Sequence, residues 1–285
     1  MELAALWQDL DDLLVPTLRQ YRSQLGSLHV ERKSDTSLLS EADVAIEAQI
    51  IACIRAREPE AIIIAEESAH LPSVRGGPDG AERIWIIDPI DGTAQFVAED
   101  RREFCTVVCL VEQRRPVAAY VLAPELGPQR SPVSVRYHGV GSHIQVNGRS
   151  VSGLSPADDL KLLSVTRSSG SEPRPYEPVL TSRGYALKTR TTSQTLDMVR
   201  SCIDPSPFTE PSLPAFGLFY REQQKLWDGA AGMCLAQAAG LTVLDGAGTE
   251  RTTIDVALDV AEPLFESTLV AADETAAQVV ISALR

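Results

Sequence analysis

The chain has 285 residues, 44% hydrophobic and 23% charged, enough to bury one large core or two fused halves. Its formal net charge of -13 argues against a nucleic-acid polymer or an anionic membrane surface as partner, and leaves small anionic substrates open if metal ions invert the charge locally. No apolar run is long enough to span a bilayer, and the acidic, amphipathic start through Asp9, Asp11 and Asp12 lacks the regions of a signal peptide. The five scattered cysteines (Cys53, Cys105, Cys109, Cys202, Cys234) form no CxxC pair and read as reduced thiols in a cytoplasmic setting.

Leu3, Leu6, Trp7, Leu10, Leu13 and Leu14 recur at helical spacing and predict a first amphipathic helix that stops at Pro16. A second helix is expected over residues 40–57, with Ala42, Ile46, Ile50 and Ile54 on one face. The apolar run 61–65 reads as a buried strand that delivers Glu66 and Glu67 at its carboxyl end. A Gly/Pro-rich loop over 75–80 leads into a strand ending near Asp88. Strands follow over 104–111 and 117–122, then a turn-rich region over 124–153 with shorter strands. The second half predicts a strand at 162–166, helices at 178–183 and 193–202, a strand at 213–220, a helix at 228–239, a strand at 241–244 and a closing helix at 273–284. Helix and strand mixed on this scale mean a layered α/β or α+β architecture.

Chemistry concentrates where apolar strands end. In Trp85-Ile86-Ile87-Asp88-Pro89-Ile90-Asp91-Gly92-Thr93, a proline stiffens the turn between two carboxylates, so two hard oxygen ligands converge on one divalent cation with little freedom to lose. Gly92 and Thr93 then offer backbone N–H groups suited to a phosphate oxygen. Glu66 and Asp228 occupy similar strand-end or helix-opening positions. Four acids crowded together repel strongly without cations, which implies Mg2+ or a similar hard metal.

These segments carry a resemblance. Ile87 to Thr93 with Phe96 resembles the first signature of the inositol monophosphatase superfamily, and Trp227-Asp228-Gly229-Ala230-Ala231-Gly232 resembles the second. Ala65-Glu66-Glu67-Ser68 is similar to the family's glutamate pair. Lys33-Ser34-Asp35 through Ser40-Glu41-Ala42-Asp43 is similar to its upstream lysine and Thr-x-x-Asp segment, and Asn147-Gly148-Arg149 to its hairpin. The resemblance spans residue 30 to the end and implies the αβαβα sandwich of the sugar-phosphatase type. It divides the chain into residues 1–155, with the metal-site motifs, and 156–285, completing the metal and substrate site, within one compact catalytic unit.

The resemblance also implies residue roles. Glu66, Asp88 and the carbonyl of Ile90 should hold one Mg2+; Asp88, Asp91 and Asp228 should hold a second; a third ion is expected near Glu66. Thr93, with Asp43 behind it, would orient the water that attacks phosphorus in line, and the N–H groups of Gly92 and Thr93 would bind phosphate. Ser193 falls where the family has a small residue near the substrate, and Arg221 or Glu222 stands where inositol-specific members present a glutamate to ring hydroxyls. Lithium sensitivity and a homodimer are further expectations of the resemblance.

Structural readings compete with these roles. Asp43 also fits the third helical position of a capping box opened by Ser40. Asp88 and Asp91 fit an ordinary turn, and Asp228 fits a helix cap. Glu67 reads as a solvated or supporting carboxylate, Trp227 as a packing anchor, and Ala230, Ala231 and Gly232 as residues that permit close helix contact. His29, His70, His138 and His143 show no paired ligand spacing. Departures from the family pattern bear on substrate: Thr192-Ser193-Gln194 replaces a Gly-Ser or Gly-Thr start, Ala98 and Leu241 replace a polar residue and a glycine, and the proline-rich segment 202–214 looks inserted. Inositol monophosphate ranks first as substrate. The alternatives are 3'-phosphoadenosine 5'-phosphate, histidinol phosphate or a sugar phosphate, or a non-catalytic phosphoryl-ligand-binding regulator.

Overall fold

The structure is a computed structural model and describes residues 2–32, 38–68, 82–167 and 170–285. The Lys33-Ser34-Asp35 segment, His70 and the loop expected over 75–80 lie outside the described residues. In chain order come α1 (Leu3–Arg22), β1 (Val30–Arg32), β2 (Leu38–Ser40), α2 (Glu41–Arg55), β3 (Ile63–Ala65), β4 (Arg83–Asp91), α3 (Thr93–Phe96), β5 (Cys105–Glu112) and β6 (Arg115–Ala123). After β7 (Val133–Tyr137), β8 (Gln145–Val146) and β9 (Arg149–Ser150), the second half adds β10 (Leu162–Arg167), α4 (Tyr176–Ser182), β11 (Ala186–Arg190) and α5 (Gln194–Cys202). The chain closes with β12 (Leu218–Lys225), α6 (Leu226–Ala238), β13 (Val243–Leu244), β14 (Leu264–Ala271) and α7 (Glu274–Leu284).

Strands β3 to β9 form a seven-stranded sheet in chain order, with β3 and β4 parallel and the remaining pairs antiparallel. The second sheet has five strands in the order β11-β10-β12-β14-β13, parallel on the β10 side and antiparallel around β14. Alternation along β4 sorts its side chains between two cores. Trp85 and Ile87 join α1 and α2 on one face, while Ile84 and Ile86 join α5 and α6 on the other. Along β12, Phe219 faces that middle layer, and Leu218 and Tyr220 pack with α4 and α7. The result is five layers, helix pair, sheet, helix pair, sheet, helix pair: the expected αβαβα sandwich.

Two expectations change, and further elements appear that the sequence did not predict. The first helix continues past Pro16 to Arg22. Pro16 and Asp12, whose carbonyl loses its partner, are both exposed, so water can satisfy that carbonyl, while Leu14, Leu18 and Arg22 remain buried on the inner face. The strand expected at 213–220 lies at Leu218–Lys225. Its polar end Arg221-Glu222-Gln223-Gln224 hides it from hydropathy, yet backbone pairing runs from Leu218 with Ala271 to Lys225 with Leu264. Strand β11, half exposed at the sheet edge, and strand β14 carry too weak a period to be read. The segment 202–214 packs on the first half: Glu210 N–H donates to the Leu126 carbonyl at 2.7 Å, and Phe208 and Leu213 lie against the central core.

Asn147 and Gly148, both at positive φ, form the tight β8–β9 hairpin, and Asn147 Oδ1 accepts the Ser134 N–H at 2.8 Å. All five cysteines are free thiols, with Cys105 and Cys109 inside β5 as expected. Among the described residues, no helix is long and apolar enough to cross a membrane.

Candidate active site

The end of β4 owes its chemistry to a break in register. Asp88 pairs with Val107 and Asp91 with Cys105, so three steps along β4 answer two along β5. Residues three apart on a regular strand point to opposite faces; the extra residue, at Pro89-Ile90, lets both carboxylates emerge on one side. The Pro89 carbonyl is held by the Thr106 hydroxyl at 2.8 Å. Gly92 follows at φ 95, and a Cβ there would lie 3.1 Å from the Glu103 carbonyl, so the turn requires glycine. Parallel pairing of Ala65 with Ile87, and the Glu66 N–H on the Ile87 carbonyl at 3.1 Å, set Glu66 beside Asp88. Asp228 arrives from the first turn of α6, where the helix dipole favours a carboxylate.

Ligand oxygens of Asp88, Asp91 and Asp228 lie within 4.8 Å of one another, all buried. The carboxylate oxygens of Asp88 are buried and receive no hydrogen bond among the described residues. Burial raises the Asp88 carboxyl well above its ordinary range, and Glu66, Asp91 and Asp228 push it further. Asp228 is raised by burial, then by Asp91 and Glu66. Asp91 is pushed up to about 6 by burial, held back by the Ser193 hydroxyl at 2.7 Å and the Thr195 N–H at 2.7 Å. Orphaned hard oxygens crowded against like charges fit a divalent cation, which would remove both penalties.

Asp43 makes the contacts that both of its readings call for. Its Oδ2 accepts from the Ser40 N–H at 2.8 Å, closing a capping box on α2, and its Oδ1 accepts from the Thr93 hydroxyl at 3.2 Å. The Thr93 hydroxyl also lies 3.1 Å from the Ile90 carbonyl. Burial lifts Asp43 to about 6 against the lowering effect of Ser40. Glu67 stands back from the cluster; its N–H donates to Glu47 at 2.8 Å.

A cavity of about 820 Å³ opens over these groups, and Glu66, Asp88, Ile90, Asp91, Gly92, Thr93 and Asp228 all line it. Ser193 does not: it is fully buried, caps α5 by accepting the Leu196 N–H at 3.1 Å, and donates to Asp91. Its contacts are thus with Asp91 and the helix start, away from the cavity lining. Of the two alternatives on β12, Arg221 lines the cavity, and Glu222 turns away to an ion pair with Arg174 and to the Tyr220 hydroxyl at 3.3 Å.

The sequence reading missed Gln194 and Thr195. The Gln194 amide donates to Asp228 Oδ2 at 2.6 Å, and the Thr195 hydroxyl to the Asp228 carbonyl at 2.9 Å. Their only signal was the departure at Thr192-Ser193-Gln194. Arg32, Arg167 and Arg190, which also line the cavity, carried none. The segment 202–214 contributes nothing to the lining.

A profile of the inositol monophosphatase family matches residues 9–282. Among curated relatives, Nus factor SuhB of Xylella fastidiosa is 28% identical over 242 residues, covering 84% of this chain and 80% of that protein. The 3'(2'),5'-bisphosphate nucleotidase CysQ of Escherichia coli is 27% identical over 231 residues, covering 78% and 81%. Among solved structures, the extragenic suppressor protein SuhB of Bartonella henselae superposes with a TM-score of 0.76 at 17% identity, over 100% of this chain and 99% of that one. With the family profile running across nearly every element from α1 to α7, the chain belongs to the inositol monophosphatase family and is a phosphoric monoester hydrolase.

Proposed function

We propose that the enzyme hydrolyses a small phosphomonoester with Mg2+, by in-line attack of water on phosphorus. The observation that carries this reading is the juxtaposition of the buried Asp88, Asp91 and Asp228 oxygens with the Thr93–Asp43 pair in one cavity. The family is metal-dependent. Asp88, Asp91 and Asp228 would hold the cation, joined by Glu66 and the Ile90 carbonyl, and the bound metal would polarise the phosphoryl group and offset its developing charge.

The protein's own residues do the remaining work. With its proton committed to Asp43 or Ile90, Thr93 Oγ1 presents lone pairs to the cavity and accepts a hydrogen bond from the attacking water, orienting it. Asp43, raised to about 6, is ionised at neutral pH and keeps that orientation. The N–H groups of Gly92 and Thr93, at the start of α3, donate to the phosphate oxygens. Ser193, Thr195 and Gln194 hold Asp91 and Asp228 in place.

Inositol 1-phosphate and 3'-phosphoadenosine 5'-phosphate are the two leading substrates, the second favoured by Arg221 standing in the cavity and by the likeness to CysQ. The five free thiols support a cytoplasmic setting. Phosphate release from these two esters, histidinol phosphate and a sugar phosphate, with Mg2+ and with EDTA, tests the reading. Asp91→Asn should lower Mg2+-dependent turnover by more than about 100-fold, since disturbing even a group that supports a ligand costs about 10- to 100-fold. Turnover unchanged in that variant would sink the metal mechanism.

A further inference from the structure

In β10 and β11, Leu163, Val165 and Leu187 pack with α4 and α7. Ser164 and Lys188, directly paired in the parallel register, therefore face the other way, toward α5. An inward-facing lysine is costly unless it finds partners, and Lys188 finds three. Its Nζ donates to Asp197 Oδ1 at 2.6 Å and to the Thr192 hydroxyl at 2.6 Å, and lies 3.5 Å from Glu103 Oε2. Asp197, with a side chain 1% exposed, also accepts the Ser164 hydroxyl at 2.8 Å. Arg200 brackets the same two acids, 3.5 Å from Glu103 and 4.0 Å from Asp197, so two cations answer two anions.

This network grips both flanks of the residues that hold the metal-site carboxylates. Thr192 precedes Ser193, and Asp197 follows Thr195 by two residues in α5. Between them the Ser193 hydroxyl and the Thr195 N–H donate to Asp91, and the Gln194 amide to Asp228. Glu103 carries the grip to the first half, since its carbonyl closes against the Gly92 turn, 3.1 Å from where a Cβ would stand. A buried ion network is weak evidence for stability, because an apolar pair of similar volume often does as well; its directional contacts fix geometry instead. We infer that Lys188 is a positioning residue for the metal site: by holding Thr192 and Asp197 together it aims the donors of residues 193–195 at Asp91 and Asp228. The inference rests on the metal-dependent hydrolase reading above and adds to it a residue outside the cavity lining.

Mn2+, a hard divalent ion suited to the same oxygen ligands, reads the site without turnover, by electron paramagnetic resonance well below the melting temperature. Lys188→Gln should weaken Mn2+ binding by about 10-fold, the lower end of the effect of groups that orient metal ligands, and raise the Mg2+ needed for half-maximal activity in step. Lys188→Arg, which keeps the charge, should recover part of the loss. A single neutral variant leaves Asp197 buried without its lysine and can destabilise the chain, so Lys188→Met combined with Asp197→Leu is measured beside it. That double variant should melt near the wild type and still bind Mn2+ about 10-fold more weakly, a loss that a role in stability alone would not produce. Wild-type Mn2+ affinity in either folded variant overturns the inference while leaving metal-dependent hydrolysis intact. A wild type that binds no Mn2+ overturns both.

Discussion

Ser193 joins a helix cap to a site carboxylate through one hydroxyl. It accepts the Leu196 N–H at the start of α5 and donates to Asp91, 102 residues away in sequence. Ser193→Ala should cost about 1 kcal/mol of stability through the lost cap. It should also raise the Mg2+ concentration for half-maximal activity by about 10-fold, because Asp91 loses a donor that sets its orientation. A thermal melt and a Mg2+ titration separate the two effects. A lowered Tm with unchanged Mg2+ dependence would mean that the N–H groups of Thr195 and Gln194 position Asp91 without it. Asp88, Asp91 and Asp228 were legible in the sequence because each sits at a strand end or helix start with its neighbours in order. What Ser193 touches was not, since its partner is fixed by packing between the two halves.

At the scale of elements, the site depends on how closely α5 approaches α6. A Cβ at Gly232 would lie 2.4 Å from Met198 Sδ and 2.7 Å from Met198 Cβ, and the latter is anchored to the backbone of α5 and cannot swing away. Gly232→Ala should therefore destabilise by about 1–3 kcal/mol through overpacking, and lower activity as Asp228 shifts relative to Gln194. Urea unfolding with a parallel assay checks both; a wild-type midpoint would contradict the contact. The sequence suggested close contact at Ala230-Ala231-Gly232 without naming the opposing helix. A second joint lies at the end of α1, where the buried Arg22 pairs with Glu125 at 3.1 Å and donates to the carbonyls of Ala98 at 3.0 Å and Arg101 at 2.9 Å. Arg22→Ala leaves the buried Glu125 carboxylate with only the half-exposed Arg130 at 3.5 Å and should cost about 3–5 kcal/mol, read as a fall in Tm; a shift within the range of a surface substitution would show the pair to be dispensable. Arg22 escaped the sequence reading because Pro16 looked like the end of its helix, and a pattern in hydropathy does not reveal which side of the helix water reaches.

For the molecule as a whole, stability and metal binding should be linked through pH. Asp43 and Asp91 are each pushed up to about 6, and Asp88 and Asp228 well above the carboxylate range, with burial the first cause in every case. In the unfolded chain these acids titrate near 3.8. Between that value and 6 the folded protein retains protons that the unfolded chain has released, so metal-free stability is fullest below the unfolded value and falls as pH rises through the folded one. Mg2+ binds the ionised groups and competes with those protons, so it should raise Tm more at about pH 7.5 than at about pH 5. Scanning fluorimetry at both pH values reads this directly; an equal shift would count against a metal site built from these carboxylates. The sequence by itself determined the layered fold, the family and the acidic cluster, because apolar periodicity and short ordered motifs are local properties of a chain. Only the tertiary structure decided that Arg221 and not Glu222 lines the cavity, that Ser193 bonds Asp91 and lies outside that lining, and that β12 and β14 pair. Each of those depends on which distant backbone or charge lies opposite, and no local pattern encodes that.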